Sequence, residues 1–144
     1  MTSERLANLV KAKGLKVEAP AQAEFDGLLQ SGRTRLHDAR NTANSIESRF
    51  VLAYNAAHSV ALAALRWHGY RSENRYIVFQ AMPDTLGIEN KHWLVLDLCH
   101  RRRNLSEYEG RLEVDEKLLA ELIEVTELAV LRAEALGPAP QAIT

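Results

Sequence analysis

The sequence predicts an all-α fold, an up-and-down bundle of about five helices resembling a single compact domain. Three observations carry this. Over Ile46–His68, apolar residues recur at spacings of three, four and seven, the signature of a helix with one buried stripe. Ala, Leu, Glu and Arg are common, while Gly and Pro number 7 and 4 among 144 residues, which favours helix. The one segment with β-branched and aromatic content, Tyr76–Met82, has no second strand signal to pair with. The length suits one domain, expected over residues 1–136, with "GPAPQAIT" (137–144) as a flexible tail.

The first helix is expected from Glu4 to Ala12, ended by Gly14. Pro20 then disfavours helix at Ala19. A second helix begins near Ala21 and runs to Arg40 on Phe25, Leu28, Leu29 and Leu36, weakened by Gly27 and Gly32. The third, Ile46–His68, has Ser45 as N-cap and Gly69 as a left-handed C-cap. The alanines on its stripe let a neighbouring helix approach closely. Tyr76–Met82 reads as a fourth helix, kinked or restarted at Pro83. Asn90 is expected to cap a fifth, through Trp93, Leu94, Leu98 and Leu105. Asp115 and Glu116 open the last, whose broad apolar face runs from Leu118 to Leu131.

Charge is unevenly distributed. Residues 1–112 carry 16 Lys+Arg against 12 Asp+Glu, a balance of +4; residues 113–144 carry 2 against 7, a balance of −5. A basic body with an acidic last helix suits an anionic partner on one face, and equally ordinary solvation. The single cysteine, Cys99, excludes an internal disulfide and reads as a small core residue in a reducing compartment. "MTSERLANLVKAKG" lacks the apolar stretch of a secretory signal, and runs such as "VALAAL" are too short to span a bilayer. A cytoplasmic protein without membrane attachment is expected. No His/Cys/Asp/Glu cluster has metal-ligand spacing, and there is no glycine-rich phosphate loop and no GxSxG, so neither a metal nor a cofactor is expected.

The stretch "CHRRRNLSEYEG", from Cys99 to Gly110, carries the most chemistry. At about 100° per residue, Asp97, His100 or Arg101, Asn104 and Tyr108 share one face of the fifth helix, with Arg101, Arg102 and Arg103 beside it. Arginine binds phosphate through two prongs and keeps its charge at any useful pH, so this strip suits an RNA or nucleotide phosphate. A solvated helix end has the same appearance. Elsewhere, His58 on the third helix suits a core or interhelical hydrogen bond, His68 the helix end at Gly69, and Trp67 and Trp93 packing. His37 and His92 have no spaced partner. Arg33, Arg35 and Arg40 form a second basic patch, with solvation as its default role.

"LVLDLCHRRRNLSEYEGRLEVDEKLLAELIEVTELA" resembles the C-terminal half of a HEPN domain (higher eukaryote and prokaryote nucleotide-binding). "SRFVLAYNAAHSVALAALRWHGYR" resembles the first long helix of its small bacterial members. Together the likeness covers roughly Ser45 to Leu136. It implies two long antiparallel helices and a motif of Arg, often Asn, then His four to six residues after the Arg. Arg103 and Asn104 match; Tyr108 stands where the family's His would be, as in a tyrosine-bearing branch. The family includes metal-independent RNase toxins, with the motif at a cleft between two subunits, and non-catalytic partners of nucleotidyltransferase-like proteins. Hence the resemblance implies a homodimer that binds RNA or nucleotide in a toxin–antitoxin or defence setting, with an antitoxin or nucleotidyltransferase-like protein as partner. The alternative it leaves open is a non-catalytic module that docks a protein partner. RNA cleavage through a 2′-hydroxyl needs a group that exchanges a proton near neutrality, to which a tyrosine of pKa about 10 is poorly matched. His100, one turn before Arg103, is the substitute imidazole within reach.

Overall fold

Seven helices and one two-stranded ladder make up residues 2–12 and 14–140, the part of the chain that the computed structural model describes. In order they are α1 (Thr2–Lys11), β1 (Lys16–Val17), α2 (Gln22–Ala39), α3 (Ile46–Trp67), β2 (Tyr70–Arg71), α4 (Arg75–Gln80), α5 (Met82–Thr85), α6 (Asn90–Glu109) and α7 (Glu116–Glu134). The result is an all-α bundle with α3 at its centre, packed mainly against α2 and α7.

The reason α3 takes the centre lies in its side chains. Ala53, Ala56, Ala57, Val60, Ala61, Ala63 and Ala64 are all fully buried. Small residues on several faces allow helices to approach from more than one side, so the burial exceeds the single stripe that the periodicity suggests. Gly32 completes the fit from α2: a Cβ placed there would stand 2.5 Å from Val60 Cγ2. Its poor helix propensity is therefore offset by close packing, and α2 runs unbroken through both glycines. Phe25, Leu29 and Leu36 of α2, Leu119, Leu122 and Ala129 of α7, and Phe79, Met82, Leu96 and Cys99 from the shorter side of the bundle fill the remaining core. Burial pushes the Cys99 thiol up to about 12.

Several ends follow the sequence closely. Ser45 Oγ accepts from the Ser48 amide at 3.1 Å, and Asp115 Oδ1 from the Leu118 amide at 2.8 Å, each satisfying a donor the helix leaves open. Gly69 takes φ +89° after α3. Pro83 sits near the start of α5, where its missing amide costs nothing. At α6 the expectation needs correction. Asn90 is the first helical residue, Glu89 occupies the cap position without a side-chain bond, and the helix continues one turn past Leu105 to Gly110 at φ +71°.

The strand pair is a second departure from the expected plan. Lys16 pairs with Arg71 and Val17 with Tyr70, antiparallel. Two residues on each side are too short to show alternation. The pair is held by Arg66, whose side chain is 1% exposed. Its guanidinium donates to the Glu24 carboxylate and to the carbonyl oxygens of Glu18, Ala19 and Tyr70. Arg71 also donates to Glu24, and these two arginines hold the Glu24 carboxyl below its usual range.

The charge segregation resolves into pairing. On the acidic α7, Glu134 meets Arg33 at 2.6 Å and Glu127 meets Arg40 at 2.7 Å; Glu116 lies 3.8 Å from Arg49. Most of the second basic patch is thus neutralised within the bundle. The expected flexible tail is also held over its first residues. Trp67 Nε1 donates to the Gly137 and Pro138 carbonyls at 3.2 Å, and the Ala139 amide donates to Gln22 Oε1. Residues 141–144 lie outside the described residues. Among the described residues no helix is long and apolar enough to cross a membrane.

Candidate functional site

Three successive arginines on a helix point about 100° apart, and the structure separates them accordingly. Arg101 is exposed and pairs with Asp97 at 3.3 Å, one turn back. Arg102 turns toward the α6–α7 connection and donates to the Glu113 carbonyl at 2.8 Å. Arg103 turns inward, its guanidinium carbon 5.5 Å from the centre of the Tyr54 ring on α3. The run Arg101–Arg103 therefore forms no common cradle. Of the three, Arg103 alone enters a cluster.

His100 and Asn104 accompany it. His100, one turn before Asn104, is buried. Its Nδ1 lies 2.8 Å from Tyr54 Oη, and its Nε2 lies 3.1 Å from Asn104 Nδ2. An amide nitrogen can only donate, so Nε2 accepts. The neutral ring's one proton is thereby assigned to Nδ1 and donated to Tyr54 Oη. Both ring nitrogens are engaged, and protonating Nε2 requires Asn104 to turn its oxygen inward. Burial holds the His100 pKa below its ordinary value, reinforced by the Arg103 charge and opposed by Asp97.

Tyr108 stands apart from this group. It is 87% exposed in the last turn of α6, and no side-chain hydrogen bond ties it to any described residue. The spacing that places Asn104 and Tyr108 on one face holds for the backbone. The α6 face nevertheless divides: His100 packs against Tyr76 and Phe79 of α4 and bonds Asn104, and Tyr108 is exposed. Arg103 and Tyr108 do not converge within one chain.

Other elements complete the cluster in ways no local motif signals. Arg75, at the start of α4, places its guanidinium carbon 5.7 Å from the same Tyr54 ring and donates to Asn55 Oδ1 at 3.2 Å. Among the described residues Arg75 has no carboxylate within ion-pair distance, whereas Arg103 pairs with the exposed Glu107 at 3.0 Å. Cations over an aromatic face gain from the ring quadrupole, which helps two like charges share one phenol. Arg35 of α2 is likewise without a carboxylate among the described residues and donates to Ser31 and Ser59. His58, one turn after Tyr54, meets Phe79 edge-on at 5.9 Å. Instead of the hydrogen bond its position suggested, it keeps an aromatic contact. Its pKa falls to about 4 through burial first, then through Arg75, Arg103, Arg35 and His100. Burial raises the Tyr54 phenol, against the pull of Arg103 and Arg75.

The outcome is a junction of α2, α3, α4 and α6 that brings Arg35, Arg75 and Arg103 around a Tyr54–His100–Asn104 chain. The chain matches no known family model and no curated protein sequence. Among the described residues, no three His, Cys, Asp or Glu side chains gather as a metal site. His68 serves structure: its Nε2 lies 3.1 Å from the Thr85 carbonyl, fastening α3 to α5. Arg75, Tyr54 and Asn55 carry no mark in the sequence that links them to Arg103.

Proposed function

We propose that this is a HEPN-like helical protein that binds the phosphate of RNA or a nucleotide at the Arg75–Arg103 pair, as a toxin–antitoxin or defence component. The observation that carries the reading is the pairing of two guanidiniums on one tyrosine ring, one of them with no described carboxylate partner, beside two histidines that burial and then these arginine charges hold below their ordinary values. An anion relieves two positive charges gathered on one ring, and a phosphate accepts the two-pronged donation arginine offers. The exposed Glu107 on Arg103 is a weak competitor, because surface pairs contribute little. Arg101 and Arg102 serve as outer contacts to a longer strand.

Binding is favoured over cleavage. His100 is buried, neutral and bonded at both nitrogens, and Tyr108 stands exposed in the last turn of α6, apart from the cluster. RNase activity therefore requires a second subunit to bring Tyr108 or another group to the cluster, in the homodimer that the resemblance implies. If purified protein with EDTA degrades RNA and Tyr108→Phe does not, binding without cleavage is the wrong reading.

A second reading, a module that docks a protein partner such as a nucleotidyltransferase, is favoured by a different feature. Leu94 and Leu105 are half exposed on α6. An open cleft of about 630 Å³, with Val51, Leu52 and Leu112 in its lining, lies nearby between α3 and the end of α6. RNA binding at low salt, compared between wild type and Arg103→Ala, separates the readings: phosphate recognition predicts weaker binding in the variant, and no affinity in wild type rejects it. For the homodimer, a sedimentation mass near that of one chain at tens of micromolar would refute the assembly.

A further inference from the structure

Tyr76 belongs to two neighbourhoods. On one side its ring centre is 5.5 Å from that of His100, in the cationic cluster. On the other it meets Trp93 edge-on at 5.9 Å and lines a separate groove of about 380 Å³, together with Arg5, Gln80, Pro83, Ile88, Asn90 and Trp93. The groove falls within the roughly 300–1,000 Å³ of small-ligand sites.

Its chemistry is specific. Tyr76 is 38% exposed, an aromatic ring offered to solvent at the groove's edge. Gln80 and Asn90 make no side-chain hydrogen bond to a described residue, so two amides, each with donor and acceptor, stand ready at its wall. Arg5, steadied by Asp84 at 3.3 Å, brings a further cation. A flat π face, edge-reading amides and flanking cations suit an unpaired nucleobase with its phosphates alongside. A duplex keeps its bases stacked inside and cannot present one to Tyr76. Tyr76 follows Arg75 in the chain and its ring lies against His100, so the groove adjoins the cluster that holds Arg75 and Arg103.

We infer that the Tyr76–Trp93 groove is a base-binding subsite, which makes single-stranded RNA the ligand class; the inference rests on the phosphate-binding reading above. Tyr76 stacks on the base, Gln80 and Asn90 meet its polar edge, and Arg5 contacts the adjoining phosphate.

Two octamers of equal length test it: oligoadenylate and an abasic ribose-phosphate strand, each measured by fluorescence anisotropy against the full chain. Stacking by one aromatic predicts that oligoadenylate binds roughly five- to a hundredfold tighter than the abasic strand, and that Tyr76→Ala removes most of this difference while leaving abasic binding unchanged. In a Trp67→Phe background, Trp93 is the sole indole, and its fluorescence should respond to oligoadenylate and not to the abasic strand. Tyr76→Leu, which keeps bulk without the π face, should behave as Tyr76→Ala does, guarding against a folding effect. Equal affinity for the two strands in wild type overturns the base subsite while leaving phosphate binding intact. No binding of either strand at low salt overturns both.

Discussion

Tyr54 Oη and His100 Nδ1 lie 2.8 Å apart, joining the central helix α3 to α6 beneath two arginines. The bond lets a buried imidazole stay neutral and fully satisfied in a positive field. Tyr54→Phe keeps the ring beneath the guanidiniums but leaves the His100 Nδ1 proton without an acceptor. The variant should lose about 1–3 kcal/mol of stability, the cost of one unsatisfied buried donor, seen as a lower urea midpoint at unchanged slope.

Acid should weaken the fold through the same cluster. The folded pKa of His58 is about 4, below the ordinary 6.5, and that of His100 is lowered too. Between those values the unfolded chain binds more protons than the folded one, so stability falls as pH drops from about 6.5 toward 4. After allowance for solvent screening, His58 accounts for a loss on the order of 2 kcal/mol across that window. Thermal midpoints measured from pH 7 to pH 4 should decline, and His58→Phe should flatten part of the decline.

A bound polyanion should reverse that trend locally. Phosphate beside Arg75 and Arg103 offsets the charges that depress both histidines. On adding RNA, the His58 and His100 titrations followed by NMR should move to higher pH, and affinity should strengthen as pH falls toward the lowered folded-state values, about 4 for His58. Unmoved titrations at saturating RNA would place the ligand elsewhere.

The two α2 glycines should respond in opposite directions. Gly27 has open space around it, and Gly27→Ala should stabilise the protein by up to about 1 kcal/mol. At Gly32 a methyl meets the stiff, fully buried Val60, so Gly32→Ala should cost about 1–3 kcal/mol despite better helix propensity. Paired denaturation curves distinguish them.

Removing Arg66 should be among the most damaging changes. Arg66→Ala leaves three carbonyls and the Glu24 carboxylate short of donors around the β1–β2 ladder, at a cost of about 3–5 kcal/mol. Calorimetry at pH 7 reads this as a large fall in thermal midpoint.

These residues also mark where sequence reasoning stops. Periodicity, caps and Gly69 revealed α3 because each is a local signal of a helix that packs on several sides. The same local logic reads Gly32 as a weakness and the α7 acids as a free surface, since the partners Val60, Arg33 and Arg40 are distant in the chain. His100, Arg103 and Asn104 were visible as a polar strip. Arg75 and Tyr54, which turn that strip into a junction, come from other helices and leave no spacing to read. Tyr108 shows the reverse case: it shares a helical face with Asn104, yet its side chain is exposed and joins no cluster.

The salt dependence of single-stranded RNA binding tests phosphate recognition at the Arg75–Arg103 pair most directly. Each phosphate contact contributes about 0.7 to the slope of log affinity against log salt, so the double variant Arg75→Ala/Arg103→Ala should show a slope shallower by about 1.4, with weaker binding throughout. Arg101→Ala, which touches only Asp97, should shift the slope by no more than about 0.7 and leave the cluster's histidine titrations unchanged. A double variant that keeps its helical circular dichroism and binds with the wild-type slope and affinity would contradict the account.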